Sequence, residues 1–340
     1  MKKIVTFGEI MLRLAPPGNR RFTQTDVFEA SYGGAEANVA VSLANFGMNS
    51  AYVTKLPKHE IGQAAINSLR RYGVDTSMIV RGGERVGAYY LEKGASQRAS
   101  KVIYDRKESA IAKAEKGDFD WDAIFENAGW FHFTGITPAL SDTAALICQN
   151  ACVKAAEKGI TISCDLNYRK TLWGRDKARE VMSSLMEYVD VCVLNEEDAA
   201  DVFSITAKNT DVESGKLSKE GFIEVARVLA SRFSFNIVGV TLRSSRSASD
   251  NLWSAMLYDG DDVCFSEEYP VHIVDRVGAG DAFSAALICA LTRDFPLQKA
   301  VDFAAAASCL KHSVEGDFNH ISVEEAEALT QGGGSGRVQR

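Results

Sequence analysis

The chain has 340 residues, 46% hydrophobic and 24% charged, with a formal net charge of −7. These are the proportions of a globular enzyme, and the length fits either two domains or one large α/β domain. The acidic balance and the scatter of basic residues argue against a nucleic-acid scaffold, which needs clustered Lys and Arg. No apolar run approaches the roughly 18 residues of a membrane helix.

From the N-terminus, Met1-Lys2-Lys3 leads directly into a short strand pattern at Ile4–Phe7, too brief for a secretory apolar region. Further strands are predicted at Ala51–Lys55, Trp130–Thr134, Thr161–Asp165, Val189–Leu194 and Ile237–Leu242. Between them Ala35–Phe46, Ile61–Tyr72, Asp142–Lys158 and Phe222–Arg232 carry apolar residues at helical spacing. Gly47, Gly73 and Gly159 stand where helices would end. This alternation predicts an α/β fold: a three-layer, mostly parallel sheet with helices on both faces.

Two stretches break the pattern. Residues 10–33 contain Pro16-Pro17-Gly18 and extended pieces, and residues 84–106 read as paired strands, Gly87–Glu92 and Lys101–Asp105. They predict a small β-sheet lid inserted into one α/β domain spanning residues 1–330. Its outer apolar residues, such as Val86, Ala88 and Ile103, would need cover. A second copy of the chain could supply it, so a homodimer through the lid, or a higher homo-oligomer, is expected. Trp253–Tyr258 and Val263–Tyr269 form a second strand-rich stretch, and residues 331–340 read as a flexible glycine-rich tail.

Seven cysteines form no CxxC pair and sit mostly in apolar segments, which fits buried thiols in a reducing cytoplasm. The five histidines make no HExxH motif.

The chemistry concentrates in Asp275-Arg276-Val277-Gly278-Ala279-Gly280-Asp281-Ala282-Phe283, which runs into a small-and-apolar helix. A glycine-rich turn opening a helix presents unpaired N–H groups and the positive end of the helix dipole to an anion. Asp281, at the same helix start, is expected to stay ionised there. Phosphoryl transfer to an alcohol needs both parts: charge neutralisation at Gly278, Ala279 and Gly280, and a base for the hydroxyl. The dinucleotide pattern GxGxxG fails at Phe283, and the Walker pattern is absent.

The motif resembles the C-terminal signature of the ribokinase-like carbohydrate kinases. Gly33-Gly34-Ala35-Glu36-Ala37-Asn38 is similar to that family's N-terminal signature, and Asn195-Glu196-Glu197-Asp198 to its Asn-Glu-x-Glu segment near magnesium and phosphates, with Asp198 in place of the last Glu. Within the family the likeness is strongest to the 2-keto-3-deoxygluconate kinase branch. It is carried by Phe7–Leu14, Tyr32–Asn38, Tyr104-Asp105-Arg106, Gly135–Leu140, Asp165–Trp173 and Gly316–Asn319. The resemblance implies ATP and Mg2+ as cofactors, with a monovalent cation as a further candidate. It implies a sugar-acid pocket of Gly34, Asn38, Tyr89, Tyr104, Arg106, Arg169, Asp281 and Asp317. Nucleotide contacts would come from Asn167, Arg169, Asn195, Thr241, Arg243, Gly278 and Gly280, and the metal would lie near Asn195 and Glu196.

A sugar acid also makes chemical sense, since guanidinium groups grip a carboxylate with two parallel hydrogen bonds. Arg169 has a rival role on the nucleotide's phosphates. Two segments depart from the family: Ser244–Asn251 reads as a longer, polar, glycine-free loop where a short glycine-rich nucleotide loop is usual. Arg276-Val277 stands where small hydroxyl residues usually flank a monovalent-cation site. The expected activity is ATP-dependent phosphorylation of a sugar acid's terminal hydroxyl. The alternatives are a fructokinase-like ketose kinase and a non-catalytic sugar-binding regulator on the same fold.

Overall fold

The computed structural model describes residues 2–210 and 217–333. The chain starts with β1 (Lys3–Phe7), leaves for the hairpin β2 (Met11–Ala15) and β3 (Glu29–Gly33), and returns through α1 (Ala35–Asn45) and β4 (Ser50–Val53). There follow β5 (Lys55–Leu56), α2 (Glu60–Arg70), β6 (Val80–Arg81), the second hairpin β7 (Ala88–Glu92) and β8 (Lys101–Asp105), and the short α3 (Trp121–Ile124). The central stretch alternates β9 (Ala128–Thr134), α4 (Asp142–Glu157), β10 (Thr161–Asp165), α5 (Arg175–Met186), β11 (Val191–Leu194), α6 (Asp198–Phe203) and α7 (Lys219–Phe233). Last come β12 (Ile237–Ser245), β13 (Asp250–Tyr258), β14 (Val263–Phe265), β15 (Tyr269–His272), α8 (Ala279–Thr292), α9 (Leu297–Lys311) and α10 (Val323–Thr330).

Nine strands form the main sheet in the order β14-β13-β12-β11-β10-β9-β1-β4, with β15 also on β13. From β12 to β4 all neighbours are parallel; β13 to β15 are antiparallel. Side-chain alternation sorts each strand between two helical layers. Phe131 and Phe133 of β9 and Cys192 and Leu194 of β11 join the core under α4, α5 and α7. Trp130, Val191 and Val193 face the other way, toward α1, α8 and α9. The three-layer expectation holds, and Gly47, Gly73 and Gly159 do end helices with positive φ.

The lid is a separate four-stranded sheet, β3-β2-β7-β8, built from both predicted insertions. Its β8 strand is exposed along its whole length, with Ile103 56% and Val102 42% accessible, and Val27 at 63% adds to the same layer. Ala88 is half-buried. Val86 does not face outward: it is buried with Ile10 and Phe318 at the lid's base, because it precedes β7 and belongs to the seam with the main domain.

Three further expectations change. Ser244–Asn251 is not a long loop. Ser244 and Ser245 extend β12, Asn251 pairs with Ser245, and the tip touches the lid through Ala248 N–H to Ser96 O at 2.7 Å. Serines and Asp250 close such a turn without glycine by hydrogen-bonding their own backbone, as Ser247 Oγ does for the amides of Ser249 and Asp250. Val263–Tyr269 divides into two strands around Ser266, whose amide and hydroxyl both bond to Ala255. Of the expected tail, Gln331 to Gly333 close α10 by hydrogen bonds; residues 334–340 lie outside the described residues.

Candidate active site

The parallel strands end together on one edge, where open α/β sheets bind ligands. A cavity of about 460 Å³ opens there, roofed by the lid. Every site residue singled out from the sequence lines it, although they come from segments spread between Gly34 and Asp317.

At its centre is the start of α8. Gly278 caps the helix with φ 83°, and a Cβ there would press into the Asp317 carbonyl oxygen. Only glycine fits both demands. Gly280 faces open space, so the first-turn amides of α8, which have no partner within the helix, are reachable from the cavity. Asp281 follows one residue later, buried, with its Oδ2 accepting a 2.7 Å hydrogen bond from Asn38 Nδ2. Asn38 Oδ1 in turn accepts from Gly34 N–H at 3.3 Å. Gly34 packs so tightly on the Glu9 carbonyl that no side chain would fit. Burial pushes the Asp281 carboxyl up to about 6, with the Asn38 bond pulling the other way and Asp317 adding repulsion. Burial raises the group's affinity for a proton, but not far enough to undo the expectation that it is ionised at neutral pH: it remains mostly ionised there.

Tyr89, Tyr104 and Arg106 form the lid side. Tyr89 and Tyr104 rings lie 6.0 Å apart, and the Arg106 guanidinium sits 5.4 Å from the Tyr104 ring. Arg106 is buried, and its Nε and one terminal nitrogen are committed to Glu9 at 2.7 and 2.5 Å. One edge of the fork expected to grip a substrate carboxylate is thus already occupied. Asp317 is likewise spent: Arg13 bonds one oxygen at 2.8 Å and the Tyr89 hydroxyl reaches both at 2.6 Å. Arg13 also pairs with Asp275 at 2.5 Å. Asp317 therefore supports the pocket wall, tying the lid to the turn at Gly278.

The opposite side is acidic. Burial, then repulsion from Asp198 and Asp281, pushes the Asp165 carboxyl well above its usual range; burial raises Glu196 and Asp198 as well. Arg169 lies among these acids, drawing down Asp165, Asp198 and Asp281, and donates to the Tyr168 carbonyl. That position suits its rival role, on phosphates. Asn167 adopts φ 39° at the end of β10 and bonds back to Asp165. Thr241 is buried on β12, and Arg243 reaches Glu196 at 3.2 Å.

Asn195 Oδ1 accepts from the amides of Glu197 and Asp198, so that oxygen starts α6 and is not free for a metal. Asp198 accepts from the Tyr168 and Asn195 amides, locking two loops together. Among the described residues no ready-made metal cage exists, and Glu196 is the carboxylate of the expected pair that faces the cavity. That donor set fits magnesium, which keeps several waters and takes one or two carboxylates plus phosphates.

Several cavity residues carried no assignment from sequence. Glu9 and Asp165 lie inside the quoted segments but only the fold reveals their partners. Arg276 looked like a departure. In the structure its Nε and that of Arg243 are both buried without a partner, and the two guanidiniums repel each other across the cavity. Two such donors aimed at one space suit a polyanion.

The profile described as pfkB family carbohydrate kinase matches residues 1–322. Among curated proteins the chain is 34% identical over 334 residues to a 2-dehydro-3-deoxygalactonokinase of Haloferax volcanii, covering 98% of each. It is 26% identical over 323 residues to a 2-dehydro-3-deoxygluconokinase of Bacillus subtilis, covering 94% of this chain and 93% of that one. Among solved structures, a 2-dehydro-3-deoxygluconokinase of Thermotoga maritima superposes with a TM-score of 0.94 at 51% identity, covering 97% of this chain and 98% of that one. A glycine-capped helix start, a buried carboxylate on its first turn and a small β-sheet beside both thus accompany likeness along almost the whole length: the chain belongs to the pfkB family of carbohydrate kinases.

Proposed function

We propose that this kinase transfers the γ-phosphoryl group of ATP to the terminal hydroxyl of 2-dehydro-3-deoxygluconate, giving the 6-phosphate and ADP. The observation that carries the reading is Asp281: a buried carboxylate with one oxygen held by Asn38 and the other left for substrate, beside open first-turn amides. Its free oxygen takes the proton of the attacking hydroxyl while the new O–P bond forms and the bond to the leaving ADP breaks. The Gly278–Gly280 amides stabilise the charge on the transferring group. Arg169, Arg243 and Arg276 would meet the polyphosphate, Asn167 and Thr241 the nucleotide, and Tyr89, Tyr104 and the remaining edge of Arg106 the sugar acid. Magnesium near Glu196, partly through water, would neutralise phosphate charge. The acid substrate is supported by the names of the Thermotoga maritima and Bacillus subtilis proteins.

The Haloferax volcanii relative is named for the galactonate, which differs in configuration at C4, so both epimers belong in the test. One observation favours a neutral ketose instead, namely the neutralisation of Arg106 by Glu9. ADP release measured against both sugar acids, fructose and ribose separates these readings. Turnover confined to fructose would overturn the acid assignment, and no ADP release with any acceptor would favour a binding protein.

The exposed lid supports a homodimer across β8, as Ile103, which unlike Val102 does not line the cavity, would be covered by a second copy. Closure of the lid would also exclude water from ATP. Sedimentation at low micromolar concentration tests the dimer; hydrogen exchange of residues 84–106 with and without sugar acid tests the lid. The cytoplasm is the compartment this reading takes, supported by seven unpaired cysteines. Among the described residues no helix is long and apolar enough to cross a membrane.

A further inference from the structure

Lys311, the last residue of α9, is fully buried, and the two acceptors of its ammonium are both backbone carbonyls: Val314 O at 3.1 Å and Gly316 O at 2.9 Å. A lysine in such a place is costly, since an apolar side chain would fill the space without desolvating a charge. Its surroundings explain what the charge does. Its Cε lies 3.3 Å from where a Gly278 Cβ would be, directly behind the catalytic turn. Asp275, Asp317 and Asp281 all attract it, Arg13 repels it, and burial draws its affinity for a proton down.

The loop it holds feeds back on the turn. Gly316 N–H donates to Asp275 Oδ2 at 3.2 Å, and Asp275 Oδ1 accepts from Val277 N–H at 3.1 Å. The neighbouring His312 carbonyl accepts the amides of Val274 and Asp275, and Ser308 Oγ donates to the Ala279 carbonyl at 2.6 Å. The end of α9 is thus the back wall of the anion turn. Without Lys311, Asp275 and Asp317 would keep only Arg13 and Asp281 only Arg169 as counter-charges, where a low dielectric makes the carboxylates' repulsion of an incoming phosphate strong.

We infer that Lys311 is the fixed counter-charge of the catalytic turn, a positioning residue that holds loop 314–317 against Gly278 and offsets its carboxylates so that the turn can take a phosphoryl group. This rests on the kinase reading. An ammonium bounded by carbonyl oxygens occupies the kind of site a potassium or ammonium ion would fill. Lys311 is therefore a tethered monovalent cation, and the wild-type enzyme needs no free one.

The test is chemical rescue. Lys311→Ala should lose about 10²-fold in kcat, the scale of removing one transition-state-stabilising group, while KM for the acceptor changes little. Ammonium or potassium chloride should restore a large part of that loss; tetramethylammonium chloride at equal ionic strength should not. Wild-type turnover should be the same in potassium and in tetramethylammonium salts. A folded Lys311→Ala enzyme with wild-type kcat, or one indifferent to every cation, overturns the inference. So does activation of the wild type by potassium, a result that needs no variant and decides the matter if Lys311→Ala does not fold. A wild-type protein that phosphorylates no acceptor would instead sink the kinase reading, before any variant is compared.

Discussion

On the proposed reading Asp281 is the base; burial raises its proton affinity and Asn38 draws it back, and that balance can be measured. With the Asp281 carboxyl at about 6, kcat/KM should be level above that pH. Below it the rate should fall tenfold per unit as the base protonates. Asn38→Ala removes the 2.7 Å hydrogen bond that favours the ionised form. A hydrogen bond to a charged group contributes about 1.5–3 kcal/mol, and a pH unit corresponds to about 1.4 kcal/mol. The full loss would move the limb alkaline by about one to two units. Water entering the vacated space would return part of it, so about one unit is expected. The assay is coupled ADP release between pH 5 and 9, with coupling enzymes in excess at each pH. An Asn38→Ala profile with its acid limb unmoved, and a wild-type limb near the ordinary value of about 4, would together refute Asp281 as a buried base tuned by Asn38.

Asp281→Asn should lower kcat by at least about 10²-fold, the smaller end of what a positioned base contributes, with nucleotide affinity retained in calorimetry. It should also raise Tm above pH 6. Because burial raises the Asp281 carboxyl in the folded chain, ionisation destabilises the fold progressively between the unfolded value of about 4 and about 6. The gain in Tm should therefore fade below pH 4. Arg13→Met takes the ion-pair partner from buried Asp275 and Asp317 at once, and should cost about 3–5 kcal/mol by urea unfolding. Arg106→Ala strands Glu9 in the same way, so the substrate test needs Glu9→Gln with Arg106→Gln. That pair should weaken sugar-acid affinity about tenfold or more, as loss of a charge-assisted bond implies, and leave a ketose unaffected; equal losses would make Arg106 structural.

The sheet was legible because each parallel strand is a short apolar run closed by a turn, and each helix repeats at three and four residues. The catalytic turn was legible because Gly278 and Asp281 are local: one needs a positive φ, the other a helix start. What could not be read were pairings between distant segments. Nothing near Arg106 announces that Glu9 will take half of its fork, since the two are 97 residues apart. Lys311 reads as an ordinary cation at a helix C-terminus, and only the 314–316 loop folding back over it makes it a buried charge. The Ser244–Asn251 reading failed because polarity signals a loop, whereas here serine side chains close a hairpin.

The long-range pairs share one purpose. Arg13 meets Asp317 and Asp275 across 304 and 262 residues, Asn38 meets Asp281 across 243, and Tyr89 meets Asp317 across 228. Buried ion pairs add little net stability over apolar packing, yet half of one left unpaired is expensive. Slight misplacement of the lid would separate Arg13 and Tyr89 from two buried carboxylates at once. The arrangement therefore penalises every docking of the lid except the one that leaves Asp275 cradling the turn. Since Asp275 also bonds the Val277 and Gly316 amides, the geometry of the turn before α8 and the position of the strands β2 and β7 are set by the same carboxylates. If the lid selects the substrate and α8 carries the transfer, as proposed, the two are built on one shared hydrogen-bonded frame.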